Sequence, residues 1–323
     1  MPFFVSAPAT PADDRVLPFQ IEGADVRGRV VRLGPAVERA VGGHAYPEPV
    51  ARLLGEAVAL VAMLGSALKF DGVLTLQATG EGPLRAIVAD YERPPASEDG
   101  GHSGKVRGIA RCDAEAIAGT DGTLESMMGK SVLSLTLDPG GDMQRYQGVV
   151  QLEGRTLAEA ASRYLETSEQ IPSLVRLAVG REVLAGGRET FRAGGIVVQR
   201  VAREGGLPRA SAADDDQWER IGIFIGTIED HELLDPALAP EQLLWRLFHE
   251  EGVRVFQPHE VAFGCRCSEK RIALILSGFP PASRLEMQDD AGFIRATCEF
   301  CNSAYAFTEA DIAAVRPNLP DGA

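Results

Sequence analysis

Apolar residues in the stretch Pro47–Phe70 (PEPVARLLGEAVALVAMLGSALKF) recur at Val50, Leu53, Leu54, Val58 and Val61. That is the three-to-four-residue repeat of one helix face, and Pro47 suits a helix start. The pattern then changes to alternation. GVLTLQATG and PLRAIVADY read as two strands, with Gly80-Glu81-Gly82 as the hairpin turn between them. SVLSLTLDPGGDMQRYQGVVQLEG repeats this logic around Pro139-Gly140-Gly141. TLAEAASRYLETSEQ returns to the helical repeat with Thr156 as its cap, and SLVRLAVG and GGIVVQRVA read as further strands. Adjacent hairpins with interspersed helices predict an α+β fold, in which a mainly antiparallel sheet carries packed helices.

Near Ala202 the pattern breaks. REGGLPRASAADDDQ is polar and turn-rich, as linkers are. Two amphipathic helices are predicted after it. The first, capped by Asp215 or Asp216, carries Trp218, Ile221, Phe224, Ile225 and Ile228 on one side. The second begins at Pro240 and sets Leu243, Leu244, Leu247 and Phe248 in a stripe. VRVF follows as a short strand. The expected organisation is a core domain over 1–202, a helical linker over 203–256 and a small C-terminal domain over 257–323. No internal repeat is evident.

Composition narrows the class. An apolar content of 45% in 323 residues is enough for a buried core in about two domains. The formal net charge of −14 argues against nucleic acid and against anionic membrane surfaces as partners, because both select clustered Lys and Arg. The stretch from Gln257 onward, with 6 basic and 9 acidic residues, has no basic excess of its own. The N-terminal residues lack a basic segment followed by an apolar run. The longest apolar run, Ala57–Leu68, is too short for a bilayer. A soluble, cytoplasmic protein with reduced thiols is expected.

Four of the 5 cysteines fall in two short stretches: Cys265 and Cys267 as C-x-C, then Cys298 and Cys301 as C-x-x-C. Clustered thiols in a reducing compartment point to metal or redox chemistry. Zinc takes four tetrahedral ligands and favours thiolate, and an all-cysteine set describes a closed site with no open position for a substrate. The surrounding sequence fits. Ser268 can cap EKRIALIL, FIRAT and SAYAF can form a hairpin with CEFC at its tip, and Thr308 can cap EADIAAV. A domain this small gains only ~3–5 kcal/mol from its core, so a metal staple is physically reasonable.

Blander readings stand beside this one: a permanently structural zinc ribbon, unliganded core cysteines, or a thioredoxin-like pair. The last lacks its usual strand–helix setting. His259 is near enough in sequence to ligate but is surplus to four thiols. Cys112 has no sequence partner and reads as a buried, inert thiol. PPASEDGGHSG reads as a glycine-rich loop rather than a nucleophile elbow, and no set of residues assembles a catalytic nucleophile, base and oxyanion hole. Two rival functions follow: a zinc-ribbon nucleic-acid binder, and an enzyme whose zinc is merely structural.

The chain resembles the bacterial thirty-three-kilodalton chaperonin family of redox-regulated holdases. The resemblance rests on FGCRCSEKRI and CEFCNSAY, with WRLFHEEGVRVF, QATGEGPLRAIVADY, RYQGVVQLEG, YLETSEQIPSLVRLAV and AGGIVVQ in the family's order. Departures are a longer N-terminal lead, a longer loop from Tyr91 to Val106 and an extension after Val315. The resemblance implies a non-enzymatic, ATP-independent chaperone. Reduced, it holds one Zn2+ on Cys265, Cys267, Cys298 and Cys301 and is inactive. Oxidised, it forms disulfides Cys265–Cys267 and Cys298–Cys301, releases zinc, unfolds its linker and binds unfolding client proteins, usually as a homodimer. A linker latch of Trp218, Ile221, Phe224, Ile225, Leu244 and Leu247 is expected to be covered at rest and exposed on activation.

Overall fold

The computed structural model describes residues 13–22, 24–69, 71–93, 103–140, 143–201 and 212–315. The N-terminal lead, most of the expected linker start, the bulk of the loop after Arg93 and the extension after Val315 lie outside these residues, as does Gly141 of the expected hairpin turn. The chain divides into two compact units, Met1–Phe263 and Gly264–Ala323.

The first unit is built on an 11-stranded sheet. Its strands are β1 (Arg15–Ile21), β2 (Val26–Leu33), β3 (Gly72–Gly80), β4 (Leu84–Arg93), β5 (Ser103–Cys112), β6 (Ser131–Asp138), β7 (Tyr146–Gln151), β8 (Ser173–Val183), β9 (Glu189–Arg200), β10 (Val253–Val255) and β11 (His259–Phe263). They run in the order β7-β6-β3-β4-β5-β11-β1-β2-β9-β8, with β10 also paired to β1. Every pairing is antiparallel except that of β11 with β5. The fold is therefore the mainly antiparallel α+β arrangement expected.

Each face of the sheet has its own cover. Helices α1 (Glu48–Gly65) and α2 (Leu157–Thr167) pack on one face, against Val16, Val31, Leu33, Leu76, Ala89 and Val197. Thr156 caps α2 by accepting from Glu159 N, as its sequence suggests. On the opposite face, Leu17, Phe19, Ile21, Val30, Ile196 and Val198 are covered by α3 (Ala212–Gly226), α4 (Asp230–Leu234) and α5 (Pro240–Phe248). The expected helical linker is thus a layer of the first unit.

Several expectations are corrected. Helix α3 starts at Ala212, so Asp215 and Asp216 lie within it rather than capping it, and Asp215 ion-pairs with Arg200 at 2.9 Å. Ile228 lies beyond the end of α3 yet is buried. Ser103 and Gly104 open β5 instead of closing a loop. Cys112, at the end of β5, is half-buried against the core rather than fully buried. The second compact unit begins at Gly264, not Gln257, because His259–Phe263 enter the sheet between β1 and β5.

The second unit contains α6 (Glu269–Ser277), α7 (Pro281–Glu286), the hairpin β12 (Ile294–Thr297) and β13 (Ala304–Phe307), and α8 (Glu309–Ala314). Ser268 and Thr308 cap α6 and α8 as expected. Helix α7 carries no periodic signal and was not foreseen. Its core is small: Ala273, Leu276, Ile294, Phe307 and Ile312. Buried Arg284 adds to it, donating to the Glu309 carboxylate at 3.1 Å and to Phe279 O, which ties α7 to α8.

Candidate metal centre and linker cover

The two cysteine pairs are brought to one point by different local devices. Cys265 and Cys267 stand on the extended stretch that runs from β11 to the cap of α6. Cys298 and Cys301 stand on the turn of the β12–β13 hairpin. There Cys298 N donates to Ser303 O at 2.9 Å and Asn302 N donates to Cys298 O at 2.8 Å. The turn needs a left-handed residue, and Asn302 supplies it at φ 55°, a conformation asparagine tolerates better than most.

The four sulfurs lie within 4.8 Å of one another, forming a group that could hold a metal ion. The shortest approaches join one stretch to the other: Cys265 Sγ to Cys298 Sγ at 3.6 Å, and Cys267 Sγ to Cys301 Sγ at 3.3 Å. A tetrahedral zinc with Zn–S of ~2.3 Å sets sulfurs ~3.8 Å apart, so the donor set fits that ion in number, type and spacing. Two neighbours that sequence reasoning did not single out orient the thiols. Tyr305 Oη donates to Cys267 Sγ at 3.2 Å, and Ser303 Oγ lies 3.2 Å from Cys301 Sγ. Such partners of ligating groups hold a site's geometry. Both stand on the hairpin at fixed offsets from the C-x-x-C, which is the signal that could have found them.

The electrostatics are uneven. Burial raises the Cys267 thiol to about 12, against the opposing hydroxyl of Tyr305, and burial also raises Cys298. Burial acts the same way on Cys301, but the hydrogen bonds of Ser303, with those of Cys267 and Cys265, outweigh it and bring this thiol down to about 6. Burial raises Cys112 as well, with the charge of Asp113 adding to it. Cys112, raised and with no second thiol beside it, stays a protonated, weakly nucleophilic thiol. His259 lies on β11, paired with Val16.

All six expected latch residues meet at one apolar cluster over the sheet. Ile221, Ile225 and Leu244 are fully buried in it, and Trp218, Phe224 and Leu247 pack against it half-buried. Phe248 is the hub, stacked on Phe19 with ring centroids 6.1 Å apart and met edge-on by Phe224.

Sequence reasoning missed the polar half of this cover. Three arginines rise from the sheet to the main chain of the helical layer. Arg32, 2% exposed, donates to Asp235 O and, at 2.7 Å, to Glu232 O. Arg192 donates to Leu234 O at 3.0 Å while its other nitrogens pair with Asp13 and Glu182. Arg176 donates to Ile228 O at 2.5 Å. Arg32 and Arg192 answer carbonyls at the C-terminal end of the short helix α4, and Arg176 answers one just ahead of that helix. Burial draws the Arg32 guanidinium down to about 10, which leaves it charged at neutral pH. Gly194 admits the close approach: a Cβ there would lie 2.3 Å from Leu233 O. Strand arginines look like ordinary solvated positions in sequence, so no periodicity marks them.

Fold and site together define a class: a two-unit α+β protein whose small unit gathers four thiols into a closed, metal-competent cluster. Comparison with known proteins is consistent across the chain. The family described as "Hsp33 protein" matches residues 14–308. The 33 kDa chaperonin of Caulobacter vibrioides is 44% identical over 298 residues, covering 91% of this chain and 94% of the relative. That of Ectopseudomonas mendocina is 38% identical over 300 residues, covering 91% and 92%. The crystal structure of the 33 kDa chaperonin (heat shock protein 33 homolog) from Thermotoga maritima shares the fold, with a TM-score of 0.72 at 24% identity, over 94% of this chain and 97% of that one. The chain belongs to the Hsp33 family.

Proposed function

We propose that this protein is an ATP-independent holdase, silent when reduced and zinc-bound and switched on by oxidation. The observation that carries the reading is the closed four-thiol cluster in a unit whose apolar core, among the described residues, is five buried side chains. The names of its relatives, 33 kDa chaperonins, support the chaperone half of the reading.

In this account Cys265, Cys267, Cys298 and Cys301 hold one Zn2+. When bound, the ion keeps the thiols as thiolates and cross-links two chain segments, a contribution of ~10–16 kcal/mol in comparable small domains. Oxidation by peroxide joins two thiolates per disulfide: the electron pair passes to the O–O bond, which breaks, and two protons from solvent complete two waters. Four thiolates consume two peroxides. Disulfides Cys265–Cys267 and Cys298–Cys301 are the proposed products, since each pair stays close in sequence once the small unit loosens. Peptide mapping after alkylation should find these two bridges and a reduced Cys112, and dominant Cys265–Cys298 or Cys267–Cys301 bridges would contradict the pairing.

Covalent continuity supplies the coupling to the cover. Phe263, the last residue of β11, is followed by Gly264 and then Cys265. Loss of order around Cys265 therefore begins one residue from a strand paired with β1 and β5. The residues over 203–256 act as the metastable layer, and its departure uncovers the apolar face centred on Phe19, Ile196 and Val198. Client proteins bind there, with no catalytic turnover, in a cytoplasmic protein that works as a homodimer.

Suppression of aggregation of a heat-labile test protein is the direct assay. Peroxide-treated protein should suppress it at near-stoichiometric amounts, and reduced protein should not. Equal behaviour of the two forms would remove the redox switch. Salt-titrated DNA and RNA binding tests the nucleic-acid alternative, for which the net charge of −14 predicts no binding.

A further inference from the structure

The two ends of the large sheet are not alike. Strand β8, at one end, carries Arg181 and Glu182, and charges of this kind guard an edge against pairing with another chain. Strand β7, at the other end, reads YQGVVQ, with neither a charge nor a proline.

Its register shows which main-chain groups turn away from β6, where no described residue pairs with them. Leu152 N donates to Ser131 O at 2.9 Å, and the pairing continues through Leu133↔Val150, Leu135↔Gly148 and Leu137↔Tyr146. Main-chain groups alternate in direction along a strand. Tyr146, Gly148 and Val150 therefore turn theirs to β6, while Gln147, Val149 and Gln151 turn theirs outward, beyond the last strand. The same hairpin region concentrates exposed apolar side chains: Val132 at 42%, Met143 at 59%, Tyr146 at 51% and Val149 at 56%. At its end, along the cross-strand row Thr79↔Val132↔Gln151, lies a cavity of about 420 Å3 that also touches Glu81 and Lys130. Those two charges are of opposite sign. In a chain of formal net charge −14, the mouth of this cavity pairs one charge of each sign, and the carboxylate beside β7 is Glu169, which accepts from Tyr146 Oη at 3.4 Å.

We propose that the outer edge of β7 is a second docking surface, which takes an extended segment of an unfolding client as an added antiparallel or parallel strand. The inference rests on the holdase reading and names a surface that reading does not. Gln147, Val149 and Gln151 supply main-chain hydrogen bonds, which any sequence can answer, and the cavity beside Val132 seats one client side chain. Recognition through the main chain suits a protein whose clients share only their unfoldedness. Six residues hold a strand weakly. The edge therefore gains its effect when the apolar face under the linker is uncovered and one client chain engages both.

The test uses the oxidised full-length protein and fluorescently labelled, reduced and carboxymethylated α-lactalbumin, a permanently unfolded probe. Val149→Pro deletes one outward N–H without removing a bond to β6. It should weaken binding about fivefold, the equivalent of one main-chain hydrogen bond. Val149→Thr, which keeps that N–H, should bind as the wild type does. Independently of any variant, the Gln147, Val149 and Gln151 amides of the wild type should gain protection from exchange when the probe is added. If oxidised wild type fails to bind the probe, the holdase reading itself has failed. If it binds, but Val149→Pro binds equally well and the three amides gain no protection, the edge inference alone is overturned. It is likewise overturned if Val149→Pro converts a dimer to a monomer in sedimentation with client affinity unchanged, which assigns the edge to a second copy of the chain.

Discussion

At the scale of single residues, the account turns on the four clustered thiols. Protein prepared under reducing conditions should carry one zinc per chain, measured by atomic emission. Cys298→Ser, which leaves three thiolates, should lose zinc affinity by at least about tenfold, the range seen when a metal site's supporting groups are removed. Undiminished affinity would contradict the four-thiol assignment. These cysteines were legible in the sequence because ligand spacing is local on each side: C-x-C presents two sulfurs from one short stretch and C-x-x-C two from one hairpin turn. Tyr305 and Ser303 were not singled out, since their fixed offsets from the C-x-x-C mark them only once the hairpin is known to fold their hydroxyls back onto the thiols. Glu56 is another such residue. It sits half-buried on α1 at a cavity of about 360 Å3, and burial, with the charge of Asp230 adding and Arg52 opposing, raises its carboxyl from 4.5 to about 7. A folded pKa above the unfolded one means the native state holds the proton more tightly. This contribution is therefore fully present below pH 4.5 and is lost as pH rises through 7. Glu56→Gln should then raise stability at pH 8 by about 2 kcal/mol and change little at pH 4, measured by urea unfolding. A gain of equal size at both pH values would show that the effect is not one of titration.

The elements divide by how much of their environment is written into their own residues. Helices α1, α2 and α5 and the strands β3, β4, β6 and β7 were readable, because each shows one period and a turn or cap at its ends. Strands β1, β2 and β5 were not. In β2, for example, Val30 faces the linker layer while Val31 and Leu33 face α1, so both sides are covered and the alternation that marks a half-exposed strand is lost. The linker layer was half legible: its apolar stripe was predicted, but not its polar attachment. That attachment yields a prediction at the same scale. Gly194→Ala would place a methyl 2.3 Å from Leu233 O, a backbone atom that cannot step aside without moving α4. Overpacking of this kind costs ~1–3 kcal/mol. The reduced variant should show faster proteolysis within 212–248, and some aggregation suppression without oxidant, while β3 and β4 stay intact. Phe224→Asp should act likewise, by placing a charge against Phe248. A reduced Gly194→Ala protein that stays protease-resistant and silent would show that α4 is not part of the latch.

The whole molecule combines a broad, well-packed sheet with a small unit whose core cannot match it. One face of the sheet is covered by α1 and α2, whose burial is extensive and contiguous. The other is covered by α3, α4 and α5, after which the chain runs by way of β10 and β11 to Cys265. The polar break near Ala202 and the cysteine cluster stand out in sequence, but the described fold divides at Gly264. The insertion of β11 between β1 and β5 was not legible, because a five-residue strand in a mixed pairing leaves almost no trace in sequence. Yet that insertion is what ties the thiol cluster to the sheet in one covalent line. The central claim is that oxidation frees the linker layer while the sheet and its α1 face persist. Amide hydrogen exchange, compared before and after peroxide treatment at mild heat, measures this most directly. The account predicts that amides of α3, α4 and α5, and those of Gly264–Ala314, pass from protected to unprotected, while Leu74, Leu76 and the α1 residues Leu54–Ala62 keep their protection. Linker amides that exchange equally fast in both states, or a sheet that loses protection along with them, would contradict it.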